Sequence, residues 1–313
     1  VNENPAFADD PTVEITEVSK WFGPKVAVSK VSCSFGPGVT GLLGPNGAGK
    51  TTMLRMLTGL IRPSEGEVSV LGVWPRAKPS VYRQIGLVPE ESAVYTKMTG
   101  REYVRYAAVL SGVDDPGAAA DRAIATVALE DAADRNLEGY SKGMRQRAKV
   151  AAALVADPQI LVLDEPLNGT DPVQRLRLIE VFRGLGDAGR TVIVSSHVLD
   201  EVERMSDRVL AIVDGRLAAA GDVAAIRSAM SDIPYRVRVE TSHPRRLAAR
   251  LLEDAVVHGV TVEDGGLLVE TADLAALGRG IADAAARAEA VPTMFRPEDA
   301  SLESVFRYLV GRR

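Results

Sequence analysis

The stretch VTGLLGPNGAGKTTMLRMLTG, residues 39–59, decides the fold. Its apolar start, Val39–Leu43, suits a short buried strand, and a helix is expected from about Lys50 to Gly59. Between them GPNGAGKT, Gly44 to Thr51, matches the phosphate-binding loop pattern in full. Glycines let such a loop turn so that successive backbone N–H groups face phosphate oxygens, and the helix behind it adds the positive end of its dipole. Lys50 is expected to reach the β- and γ-phosphates of a nucleotide, and Thr51 to offer its hydroxyl to Mg2+. Gly44, Asn46, Gly47, Gly49 and Thr52 complete the predicted nucleotide contacts. A chance glycine-rich turn would lack the strand before it and the helix after it.

Two more segments carry chemistry. QILVLDEP, Gln159–Pro166, is a continuous apolar strand ending in two carboxylates. Asp164 is suited to hold Mg2+ or its waters, and Glu165 to orient or deprotonate an attacking water. The bland alternative is a solvated turn at a strand end. An unneutralised carboxylate closing a buried run is costly, however, and coordination of metal and water removes that cost. His197 directly follows a second apolar strand, TVIVSS (Thr191–Ser196). Alone it would read as a capping or core histidine, but it ends the strand that follows LVLDEP in sequence, so it is expected near the γ-phosphate, helping to hold a loop, the attacking water or a phosphate oxygen. His243 and His258 have no Cys/His/Asp spacing around them, so a zinc site is not supported.

Working outward, strands are predicted over Thr12–Val18 and Val26–Phe35, and again in EVSVLG after a turn at Arg62–Gly66. From about Arg101 to Ala156 the pattern is helical, interrupted at Asp115-Pro116-Gly117, and another helix is expected near Gln174–Leu185. Buried runs separated by helices predict a largely parallel sheet covered on both faces, with ligands beyond the carboxyl ends of its strands. After about Met230 the pattern starts again: YRVRVE alternates, a helix follows, VVHGVTVED and GLLVE look like paired strands, and a long helix leads to VPTMF. With a last helix at SLESVFRYLVG (Ser301–Gly311), this βαββαβ order suggests a small ferredoxin-like α+β domain.

Composition narrows the function classes. Forty-two acidic against 37 basic residues give a formal charge of -5 over 313 residues, which makes no general case for a nucleic-acid binder. Cys33 is the only cysteine, so no internal disulfide forms, and its place in an apolar-polar run favours packing. No run approaches the roughly 18–20 apolar residues needed to cross a bilayer. The opening VNENPAFADDPT is polar and acidic, unlike a basic signal-peptide start. A cytoplasmic protein that reaches a membrane only by docking on a partner is therefore expected.

Together these pieces resemble the ATP-binding-cassette ATPase domain. The deciding segment is YSKGMRQR, Tyr140–Arg147, which looks like the family's signature loop. The resemblance implies that this loop reaches across a head-to-tail dimer onto the γ-phosphate held by the other subunit. Ser141 would then donate a hydroxyl, and Gly143 would allow close approach of the backbone. WFG at 21–23 stands where the family places an aromatic that stacks on adenine; Phe22 is favoured, Trp21 is close behind, and either could instead be core. Asn168-Gly-Thr-Asp171 resembles the loop in which Asp171 links the two sites of a dimer, and SSHVLDEVERMSDRV resembles the switch-histidine segment. The likeness covers roughly residues 11–228. Departures from the family pattern are Tyr140, Lys142 and Met144 in the signature, Thr170 where leucine is common, and Glu90 where glutamine is common. A carboxylate at Glu90 can approach Mg2+ but cannot donate hydrogen bonds as the amide does.

The resemblance implies an α/β P-loop NTPase of the ABC ATPase type, with cofactors ATP and Mg2+. It further implies a transport-coupled ATPase with two partners, a second copy and a separate multi-span membrane subunit, at the cytoplasmic face of the membrane. Its expected parts are a flexible stretch 1–10, an ATP-binding domain 11–228 with a helical subdomain at about 90–156, and an accessory domain 231–313. The tail is similar to those of bacterial multicomponent drug exporters, which favours export. An importer subunit, or a cassette ATPase acting on the ribosome or DNA, stays open as an alternative. Val94, Tyr95 and Met98 are candidates for docking on the membrane subunit, or for ordinary packing between lobes.

Overall fold

The computed structural model describes residues 4–91, 94–206, 208–222, 234–263 and 265–298. Two compact units, Val1–Val223 and Ala224–Arg313, divide the chain. The first is built on a six-stranded sheet containing β3 (Gly38–Leu43), β5 (Ile85–Val88), β6 (Ile160–Asp164), β7 (Thr191–Ser196), β8 (Arg208–Val213) and β9 (Arg216–Asp222). Their spatial order is β5-β6-β7-β3-β8-β9; all pair in parallel except β9, which returns antiparallel on β8. Alternation along these strands serves two cores. Leu161, Leu163, Val192 and Val194 face one cluster, whereas Ile160, Val162, Ile193, Leu210 and Ile212 face the other. Both faces are covered, which explains why the strands read as unbroken apolar runs.

The first cluster is closed by α2 (Gly100–Leu110), α3 (Pro116–Thr126), α4 (Lys142–Leu154) and α5 (Pro172–Asp187). Each starts on a side-chain cap: Thr99 in a reciprocal box with Glu102, then Asp115, Ser141 and Asp171. Asp115-Pro116 thus begins α3 rather than merely interrupting a helical run. The second cluster lies under an antiparallel sheet of β2 (Lys25–Phe35), β1 (Val13–Phe22) and β4 (Glu65–Val70), in that order, together with α1 (Lys50–Leu57). Residues 5–8 belong to this side as well: Ser34 donates its N–H to Ala6 O, and Arg208 Nε donates to Pro5 O at 3.1 Å. A short helix, α6 (Leu199–Met205), follows β7.

The second unit runs β10 (Tyr235–Thr241), α7 (Pro244–Leu251), β11 (Val257–Glu263), β12 (Gly266–Thr271), α8 (Leu274–Arg287) and β13 (Pro292–Glu298). The sheet order β11-β12-β10-β13, antiparallel throughout, is that of the ferredoxin-like arrangement expected from the βαββαβ pattern. Val237, Val239, Leu267 and Val269 bury one sheet face against Leu247, Leu251 and Leu277 of the helices. The predicted final helix, Ser301–Gly311, lies outside the described residues. Among the described residues no helix is long and apolar enough to cross a membrane.

Candidate nucleotide-binding site

The loop after β3 is shaped by steric need at two glycines. Gly49 sits at φ 106°, where a Cβ would strike Ala27 O, and Gly44 packs so closely that a Cβ would strike Ile212 O. Only glycine gives this path, which ends at the N-terminus of α1. The loop opens onto a cavity of about 290 Å3 lined by Phe22, Lys25, Asn46, Gly47, Gly49, Lys50, Thr51, Thr52, Glu90 and Glu165, among others. Phe22 is half exposed, and Lys20 Nζ stands 5.1 Å from its ring centre. Trp21, the other aromatic considered for adenine, does not line the cavity.

Lys50 is only 6% exposed, and its ammonium donates to Gly44 O at 2.6 Å and to Pro45 O at 3.4 Å. It also lies 3.3 Å from Glu165 Oε1, an ion-pair contact without hydrogen-bond geometry. Glu165, 6% exposed, sits at φ 48°, a strained conformation for a residue with a Cβ. Its other oxygen, Oε2, is 3.0 Å from His197 Nδ1, and His197 is 41% exposed. Asp164, 4% exposed, accepts a 2.6 Å hydrogen bond from the Ser195 hydroxyl. That same oxygen of Ser195 accepts the backbone N–H of Glu165 at 3.0 Å. One buried hydroxyl therefore fixes both acidic residues at the end of β6.

The oxygens gathered here suit a small hard cation. Thr51 and Glu90 line the cavity beside Glu165, whose buried Oε1 has no hydrogen-bond donor, and Asp164 closes β6 behind them. Mg2+ typically takes a few such oxygens together with phosphate oxygens and water, so the residues present fit it.

Ser141, Gly143 and Asp171 do not line this cavity. Ser141 Oγ accepts the N–H of Met144 at 3.2 Å, and Asp171 accepts that of Gln174 at 2.9 Å. Gly143 faces Gln174 Oε1, where a Cβ would come within 2.6 Å. Tyr140 is buried, donates to Ala132 O at 2.6 Å, and rests on Gly100, whose place only a residue without a side chain could take. Of the docking candidates, Tyr95 is exposed and meets Tyr106 edge-on at 5.8 Å, while Val94 packs partly against the helical core.

Three residues at or beside the site have no signal in the motifs. Lys25 borders the cavity because the β1–β2 hairpin places it near Phe22. Ser195 appears in sequence only as the polar end of an apolar strand. Lys149 in α4 is 3% exposed, and its ammonium donates to Pro89 O at 2.6 Å and Glu91 O at 2.9 Å. Burial pushes its pKa down to about 8, an effect opposed by the nearby Asp164, Glu90 and Glu91 charges.

A family model described as "ABC transporter" matches residues 28–168. The chain is 38% identical over 228 residues to the daunorubicin/doxorubicin resistance ATP-binding protein DrrA of Streptomyces peucetius, covering 72% of this chain and 68% of that one. It is 32% identical over 287 residues to the linearmycin resistance ATP-binding protein LnrL of Bacillus subtilis (strain 168), covering 80% and 92%. Among solved structures, an ATP-binding subunit of an ABC transporter superposes with a TM-score of 0.64 at 28% identity, covering 69% of this chain and 92% of that one.

Proposed function

The chain belongs to the ABC transporter family as an ATP-hydrolysing subunit, and from that premise we propose that it is the motor of an exporter whose membrane-spanning subunit is a separate chain. The observation that most supports an ATP site shared between two copies is the division of the candidate residues. Lys50, Thr51, Glu90 and Glu165 converge on one cavity, whereas Ser141, Gly143 and Asp171 lie away from it. A second copy, docked head to tail, supplies what the cavity lacks.

ATP enters with its adenine against Phe22 and its phosphates along the loop from Gly44 to Thr52. Phosphate oxygens take the Lys50 ammonium from the carbonyls of Gly44 and Pro45. Thr51, Asp164 and Glu90 would hold Mg2+, which would offset charge on the phosphates. Glu165 orients the attacking water and accepts its proton. The bond to His197 Nδ1 steadies Oε2, and Ser195 steadies the backbone at Glu165. Ser141 uses its oxygen to cap α4, which leaves its hydroxyl proton to donate to the γ-phosphate of the other copy. Hydrolysis removes that bridge, the pair loosens, and the change drives the membrane subunit.

Export is supported by the resistance function in the names of two relatives and by the likeness of the tail to those of exporter subunits. The protein works peripherally at the cytoplasmic face of the membrane, with Tyr95 on the docking side. Unit 231–313 supports dimerisation or regulation; unchanged ATP-dependent sedimentation of a chain ending at 230 would count against that role. Affinity capture of the full chain from its native membranes tests the assignment. Recovery of a stoichiometric multi-span protein is expected. Recovery with ribosomes or DNA and no membrane protein would overturn the transporter role and leave the ATPase intact.

A further inference from the structure

We propose that Lys149 is a positioning residue that ties the helix bearing the signature segment to the loop bearing Glu90. The inference deepens the proposed ATPase dimer and rests on it. Ser141 caps α4 and Lys149 lies eight residues further along, about 12 Å by the rise of an α-helix. From there the Lys149 ammonium reaches out of the helix to the carbonyls of Pro89 and Glu91, one on each side of Glu90. Glu90 lines the phosphate-loop cavity, so one end of α4 faces a second copy and its middle grips the loop at this copy's own site.

The neighbours on α4 show what a packing position there requires: Ala148, Val150 and Ala151 are all fully buried and apolar. An ammonium at that depth is costly unless its protons are bonded and its charge is offset. Two carbonyls supply bonds, and the charges of Asp164, Glu90 and Glu91 supply the offset. Lys149 also moderates the repulsion of the carboxylates that crowd the metal side of the cavity. A shift of α4 on closure of the dimer thus moves the 89–91 backbone and, with it, the Glu90 carboxylate. The contact joins residues 58 and 60 positions apart, so it spans the helical subdomain and the sheet edge.

The test compares the full-length wild type with Lys149→Met, Lys149→Arg, Glu90→Gln and the double variant Glu90→Gln/Lys149→Met. Affinity for a fluorescent ATP analogue is measured in EDTA and then titrated with Mn2+, and ATPase rate is measured against Mg2+. Lys149→Met should bind the nucleotide in EDTA within twofold of wild type, yet need at least fivefold more cation for half-maximal tightening and half-maximal rate. Lys149→Arg should fall between the two. Adding Lys149→Met to Glu90→Gln should raise the cation requirement less than twofold further, because both act through Glu90. An unchanged cation requirement in Lys149→Met would overturn the proposal. So would an affinity loss in EDTA as large as that with cation, or full additivity with Glu90→Gln. A wild type that hydrolyses no ATP would sink the proposed function instead, and Mn2+ tightening of the nucleotide would still decide the role of Lys149.

Discussion

Replacing Ser195 by alanine removes one oxygen and two hydrogen bonds. The hydroxyl is fully buried, donates to Asp164 Oδ1 at 2.6 Å, and accepts the N–H of Glu165 at 3.0 Å. The first bond has an ionised acceptor, and such bonds contribute about 1.5–3 kcal/mol; a buried N–H left without a partner costs about 1–3 kcal/mol. Allowing for partial relaxation, Ser195→Ala should destabilise the first unit by about 2–4 kcal/mol. Both tryptophans, Trp21 and Trp74, lie in that unit, so urea unfolding followed by tryptophan fluorescence reports on it alone. The strained φ of 48° at Glu165 is held partly by the same bond, so its carboxylate should drift. A displacement near 1 Å costs roughly 100-fold in rate, so kcat should fall about 10- to 100-fold while nucleotide affinity changes little. Less than about 0.5 kcal/mol of destabilisation together with kcat within twofold of wild type would refute the assignment of Ser195 as the anchor of both carboxylates.

Gly49→Ala should abolish nucleotide binding, since the added methyl meets Ala27 O at a φ of 106° that alanine avoids; equilibrium binding of a fluorescent nucleotide checks it, and retained affinity would count against the loop geometry. Cys33 is fully buried and burial pushes its thiol up to about 12, so native protein at pH 8 should not react with a disulfide reagent, whereas urea-unfolded protein should release one thiol per chain. Because the folded pKa is raised from 9.0, Cys33 favours the fold below about pH 9, and that contribution is lost as pH rises toward 12. Cys33→Ala should flatten the alkaline arm of the stability curve; an unchanged slope would argue against the burial effect.

What could be read in the sequence was whatever the chain writes contiguously. The strand, glycine loop and helix around Gly44–Thr51 form one local unit, and so do the apolar runs ending at Asp164 and Ser196. The ferredoxin-like order of the second unit follows from its alternation of periods and short connections. Less visible were contacts between distant segments. Nothing in RQRAKVAA marks Lys149 as the partner of two carbonyls near residue 90, and a serine ending an apolar strand does not announce that it holds both acidic residues. Residue type also hides backbone strain: a glutamate at positive φ is disfavoured, and only the surrounding bonds keep Glu165 there. The antiparallel β8–β9 hairpin at the sheet edge escaped notice because RLAAAGD lacks the apolar alternation of a strand.

The central claim, an ATP site completed by a second copy, is tested most directly by sedimentation of the full-length Glu165→Gln variant with and without Mg-ATP. This variant loses the carboxylate proposed to activate water but keeps Lys50, Thr51 and Asp164, the residues proposed for binding. The account predicts a monomer without nucleotide, a dimer with Mg-ATP, and return to monomer when Ser141→Arg is added to block the approach of α4. A Glu165→Gln chain that binds Mg-ATP and remains monomeric at micromolar protein would contradict it.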